Sequence, residues 1–160
     1  MGNEVSESAD VDRERSEIII TGRTKHFLSL VGEHLSVDNM NKAIEMVSTE
    51  LNISIPEFTV AAVPYGSFFA HQWYVATNDK ANAEELRIRI DAKLKELNDD
   101  YEVERKHALK DIMVDVLSEK TFMNFMKSKG KVGGQHKFPR VLKGKMLEDW
   151  QIFLKGERVS

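Results

Sequence analysis

The sequence predicts an α+β domain: a small central sheet, mixed or antiparallel, of about four or five strands flanked by helices. Three observations point there. Short β-branched or alternating runs such as EIIIT (17–21) and FTVAAV (58–63) are separated by runs with helical apolar spacing, and Gly or Pro punctuates the joins. No internal repeat is present, and 160 residues with 41% hydrophobic content supply one packed core.

Residues 1–15 carry almost no apolar side chains, so they are expected to be a disordered leader or linker ahead of a domain over residues 16–160. EIIIT closes at Gly22 and FLSLV (27–31) at Gly32, which suggests a paired ribbon. Ser36 is the expected N-cap of a helix whose apolar stripe is Val37, Met40, Ala43, Ile44, Val47 and Leu51. FTVAAV and HQWYVAT (71–77) read as an antiparallel pair joined across PYGSFFA. Leu86, Ile90, Leu94 and Leu97 mark a second long helix over 81–97, stopped by Asn98-Asp99-Asp100, with a shorter helix expected over 101–109. IMVDVL (112–117) reads as a strand. Ser118 then caps a helix burying Phe122, Phe125 and Met126 that ends at Gly130, and KMLEDWQIFL closes the chain as a helix.

Several chemistries are excluded or disfavoured. The formal net charge is -3 and the pI is near 6.0, so any anion site must be local rather than a whole-surface attraction. The absence of cysteine removes disulfides, thiolate metal sites and a cysteine nucleophile, in keeping with a cytoplasmic location. No apolar run approaches the roughly 18 residues of a membrane span, and the acidic N-terminus is unlike a signal peptide. The five histidines are scattered, without HExxH spacing, so no metal site is expected. Neither GxSxG nor GxxxxGK[ST] occurs. The paired acids Glu84-Glu85 and Glu148-Asp149 suit helix starts and solvated faces. Phe68-Phe69 and Trp73-Tyr74 are expected to pack in a core or interface, the alternative being a base-stacking platform.

One segment stands apart. GGQHKFPRVLKGKM (133–146) gathers Lys137, Arg140, Lys143 and Lys145 without an acid, behind two glycines. It is either a solvated loop or an arm that reaches an anion.

The ribbon GRTKHFLSLVG (22–32) resembles the hinge motif GRxDDxIKxxG of acyl-adenylating enzymes, with Lys25 and His26 in place of the two acids and Ser29 in place of the lysine. A closer resemblance runs over residues 17–154. TGRTKHFLSLVGEHLS, DNMNKAI, HQWYV, LNDDYEVERK and GGQHKFPRVL, in that order, are similar to the C-terminal domain of the auxin-responsive Gretchen Hagen family of acyl-acid amido synthetases, nearer its bacterial branch than its plant hormone-conjugating branch.

That resemblance implies a two-step ligase. Mg-ATP activates a carboxylic acid to an acyl-adenylate, and an amino acid then displaces AMP to form an amide. A large N-terminal domain would bind ATP and acyl acid, while this small domain, binding no cofactor alone and inactive alone, would turn over it. Thr21 and Gly22 would form the hinge, Arg23 would approach the nucleotide, and Glu33 and His34 would face the other domain or the second substrate. Gly133, Gly134, Gln135, Pro139 and Arg140 would belong to a mobile arm carrying the adenylation lysine, Lys137, with Lys145 as the alternative. Nucleic acid and membrane are not expected partners. The reading of a different class is a stand-alone protein- or polyanion-binding module, either through the basic arm or through a sheet face bearing Phe68, Phe69 and Trp73.

Overall fold

The computed structural model describes residues 35–130 and 138–159. The elements run α1 (Val37–Leu51), β1 (Glu57–Tyr65), β2 (Phe68–Ala76), α2 (Ala83–Leu97), α3 (Asp99–Lys106), β3 (Leu109–Leu117), α4 (Glu119–Ser128) and α5 (Gly144–Val159). The α+β expectation holds, with a smaller sheet: three strands in the order β1-β2-β3 among the described residues. The strands expected over 17–21 and 27–31 lie outside those residues.

Caps set the helix boundaries. Ser36 accepts the Asn39 amide at 3.0 Å, and Asn52 ends α1 in the left-handed region at φ 55°. Asn98 serves two helices. It terminates α2 through its N–H to Leu94 O, while its Oδ1 accepts the Tyr101 amide at 2.8 Å and starts α3. The triplet does stop α2, as expected, and α3 follows at once, with Asn98 as its cap and Asp99 and Asp100 in its first turn. α3 ends earlier than expected, because Leu109 already pairs with Phe69 as the first residue of β3.

The join between β1 and β2 is shorter than the sequence suggested. The strands pair antiparallel out to Tyr65↔Phe68, leaving Gly66 and Ser67 as the turn, with Gly66 at φ 62°. A positive φ at the first turn position is what a type II′ hairpin demands. Pro64 is tolerated within β1 because Val60 turns its N–H and C=O away from β2, so Pro64, four residues on, points its missing donor outward as well.

β2 and β3 pair in parallel, with a bulge at Lys110 between the pairs Phe69↔Leu109 and Ala70↔Asp111. β2 is central and buried along nearly its whole length. Alternation sends Phe69, Trp73 and Val75 to a face covered by α1, α2 and α3, whose Met40, Val47, Leu86, Ile90, Leu94 and Tyr101 complete one core. Tyr74 and Ala76 go to the other face. There Phe122, Phe125 and Met126 of α4 pack with Trp150 and Leu154 of α5 and with Phe138 and Leu142. Phe69 and Trp73 thus lie in the core rather than on a platform; Phe68 alone of the proposed docking face is exposed, with Lys110 Nζ 4.4 Å from its ring centre.

His71 is a buried titratable group in this core. It is fully inaccessible between Phe69 and Tyr101, and neither ring nitrogen has a hydrogen-bond partner among the described residues. Next to it, Asp91 accepts from Tyr101 Oη at 2.5 Å and from Arg105 Nε at 3.0 Å. Burial, then the charge of Arg105, hold the imidazole pKa at about 3, with Asp91 opposing. Between pH 6.5 and about 3 the unfolded chain therefore binds a proton that the folded chain does not. The stability is present above pH 6.5 and is lost as pH falls, by about 2 kcal/mol at pH 5. Urea unfolding at pH 7.5 and pH 5.0 should show that loss, and His71→Leu should flatten it; an equal loss in both proteins would assign it elsewhere.

Candidate functional site

Of the basic segment, residues 138–146 are among those described. Residues 138–142 lie along the outer edge of β1, where Val60 donates to Arg140 O and Leu142 donates to Val60 O, both at 2.9 Å, in a parallel Val60↔Val141 bridge. Phe138 and Leu142 are 2% and 1% exposed, so two apolar anchors flank the bridge. Phe138 sits against Phe122 at 4.7 Å and Trp150 at 5.0 Å between ring centres. The aromatic geometry adds to the hydrophobic burial.

Arg140 ties the same place by its side chain. Its guanidinium lies 4.3 Å above the Phe58 ring centre, and Nη1 donates to Glu57 Oε1 at 2.6 Å and to Phe58 O at 3.1 Å. A charge-assisted bond, a backbone acceptor and a ring face together restrict a planar fork far more than one surface ion pair would. Arg140 also closes one wall of an open cleft of about 590 Å³ over Phe58 and Ile44, rimmed by Asp38, Lys42 and Glu45 of α1.

A second tie sits at the other side. Asp149 on α5 accepts from Lys129 at the end of α4 and, at 2.9 Å, from Lys145 four residues upstream. These bonds, Lys129 first, lower the Asp149 pKa, and the bond to Asp149 raises that of Lys145. The Lys145 side chain is 81% exposed, yet its charge is matched within its own helix.

Pro139, Arg140 and Lys145 are thus the sequence-selected residues that the described structure positions: the first two at the docked end of the segment, the third at the start of α5. Lys137, Gly133, Gly134, Gln135, Thr21, Gly22, Arg23, Glu33 and His34 lie outside the described residues. Sequence reasoning missed Glu57 and Phe58. They precede Arg140 by 83 and 82 positions, a separation at which one sequence carries no pairing signal. No group of three or more His, Asp or Glu side chains is arranged to hold a metal among the described residues, and none of their helices is long and apolar enough to cross a membrane.

A three-stranded mixed sheet with helices on both faces, and with residues 138–142 docked on strand β1, defines a small α+β domain. The chain belongs to the GH3 (Gretchen Hagen) family: the family's C-terminal domain matches residues 38–145, more than half of the chain. Among solved structures it is similar to a GH3.15 acyl acid amido synthetase, with TM-score 0.56 and 21% identity over 74% of this chain and 23% of that one. A second structure of that name, in complex with 2,4-DB, aligns at TM-score 0.48 and 20% identity over 72% of this chain and 23% of that one. The chain therefore spans about a quarter of the length of these structures. No curated protein matches it.

Proposed function

We propose that this chain acts as the mobile C-terminal domain of an ATP-dependent acyl-acid amido synthetase in the cytoplasm and is inactive without the N-terminal adenylating domain. Membership of the GH3 family through its C-terminal domain carries the proposal. The cofactor is Mg-ATP, held by the combined domains. In the first half-reaction the acid's carboxylate oxygen attacks the α-phosphorus and pyrophosphate leaves; in the second, the amino acid's nitrogen attacks the acyl carbon, AMP leaves, and the nitrogen gives up a proton.

Lys137 serves the first step. One residue before a buried phenylalanine, it is carried on a segment anchored to β1, and a cation there can neutralise charge gathering between carboxylate and α-phosphate. Lys145 is the weaker candidate because Asp149 already matches its charge. Thr21 and Gly22 supply the hinge, Arg23 the nucleotide contact, and Glu33 and His34 the face turned toward the second substrate, all on the motif resemblance alone.

The experiment is pyrophosphate release from ATP, over a panel of acyl acids, by a polypeptide joining this chain to its adenylating domain. Release and amide formation should both require the chain. Full activity after removal of residues 35–159 would overturn the proposal. Salt-sensitive retention of the isolated chain on RNA would favour the polyanion-binding reading instead.

A further inference from the structure

From the contacts at the β1 edge we infer that Glu57 is a positioning residue: with Phe58 it locks Arg140, and through Arg140 it sets the register in which residues 138–142 dock on β1. The inference rests on the proposed ligase reading only for its catalytic consequence.

A single parallel bridge is a weak device for fixing register. Among the described residues it consists of two backbone bonds on Val60, without the neighbouring bonds that make a ladder cooperative. The two buried anchors, Phe138 and Leu142, flank the bridge but are apolar and non-directional. Direction comes from the guanidinium. Stacked on Phe58 and bonded to Glu57 and to the Phe58 carbonyl, it addresses two consecutive residues of β1, so a slip of the segment along the strand would break the ring contact and both bonds together. The pair is also sheltered, with side chains 22% and 25% exposed, so water and salt weaken it less than a surface pair.

The catalytic consequence follows from chain geometry. Lys137 is three residues before Arg140, and consecutive Cα atoms are about 3.8 Å apart. Whatever fixes Arg140 limits where Lys137 can start its reach, and misplacing a reacting group by about 1 Å costs on the order of 10²-fold. Glu57 touches neither substrate nor cofactor; its action is through Arg140.

The test pairs two readouts on Glu57→Gln, which keeps side-chain size and removes the charge. In this chain, hydrogen exchange of the Val60 and Leu142 amides should rise about tenfold, the scale of one charge-assisted bond, while the β2 amides of Trp73 and Val75 stay unchanged. In the two-domain enzyme the same variant should lower kcat for pyrophosphate release about tenfold with KM for ATP within about twofold, and Glu57→Asp should recover part of the loss. Unchanged exchange at Val60 and Leu142 overturns the lock. Faster exchange with undiminished pyrophosphate release overturns the positioning role. Lys137→Ala, run alongside, separates the two failures: if it too leaves release unchanged, the lysine assignment itself is wrong.

Discussion

Trp150→Ala should destabilise the domain by about 3–5 kcal/mol, the range for emptying a large aromatic site in a core. Trp150 is fully buried at the centre of the second core, with ring centres of Phe122, Phe125, Phe138 and Tyr74 between 5.0 and 5.5 Å away. Its neighbours come from β2, α4, α5 and the docked segment, so no single element can collapse into the space. Trp150→Phe isolates the cause. Its indole N–H has no hydrogen-bond partner among the described residues, and Phe removes that unpaired donor while keeping most of the ring, so the cost should stay below about 1.5 kcal/mol. Urea unfolding of both variants reads the difference. A similar loss in the two would mean that one six-membered ring does not fill the site and the whole indole shape is needed. The alanine variant should also loosen Phe138, because Trp150 forms part of its socket.

Lys137→Ala should lower pyrophosphate release by the two-domain enzyme by about 10²–10³-fold, the scale of removing one preorganised electrostatic contact from a transition state. Amide formation from a supplied acyl-adenylate should change far less, since no charge then builds between carboxylate and α-phosphate. Folding should change little, because the described ties to β1 are the two Val60 backbone bonds and the Arg140 bond to Glu57. Lys145→Ala is the contrasting variant. Its ammonium is shared with Asp149 and mostly in water, so release should fall by less than about threefold. The reverse order of effects would move the catalytic lysine from 137 to 145.

The helices were legible because their signals are local. Ser36, Asn98 and Ser118 each accept an amide three residues on, and the apolar positions of α1, α2 and α4 recur at the helical period. The strands were legible in kind but not in length. β2 begins three residues before His71, as Phe68, Phe69 and Ala70 continue the ladder opposite Tyr65, Pro64 and Val63. Pro64 and Gly66 read as a loop because the sequence does not say that Pro64 faces away from β2. β3 likewise begins before Ile112, since the bulge at Lys110 interrupts the alternation by which a strand is recognised.

By itself the sequence determined the α+β class, most of the elements, and, through five ordered segments, the family that the domain match then showed. Those features depend on residues within a few positions of each other or on motifs read in order. Tertiary structure alone decided which cations are already matched. Arg140 is committed to Glu57 and Phe58, and Lys129 at the end of α4 meets Asp149 of α5. Such pairings arise when distant segments dock on a shared sheet, and their energy depends on distance and burial, neither of which a linear pattern encodes.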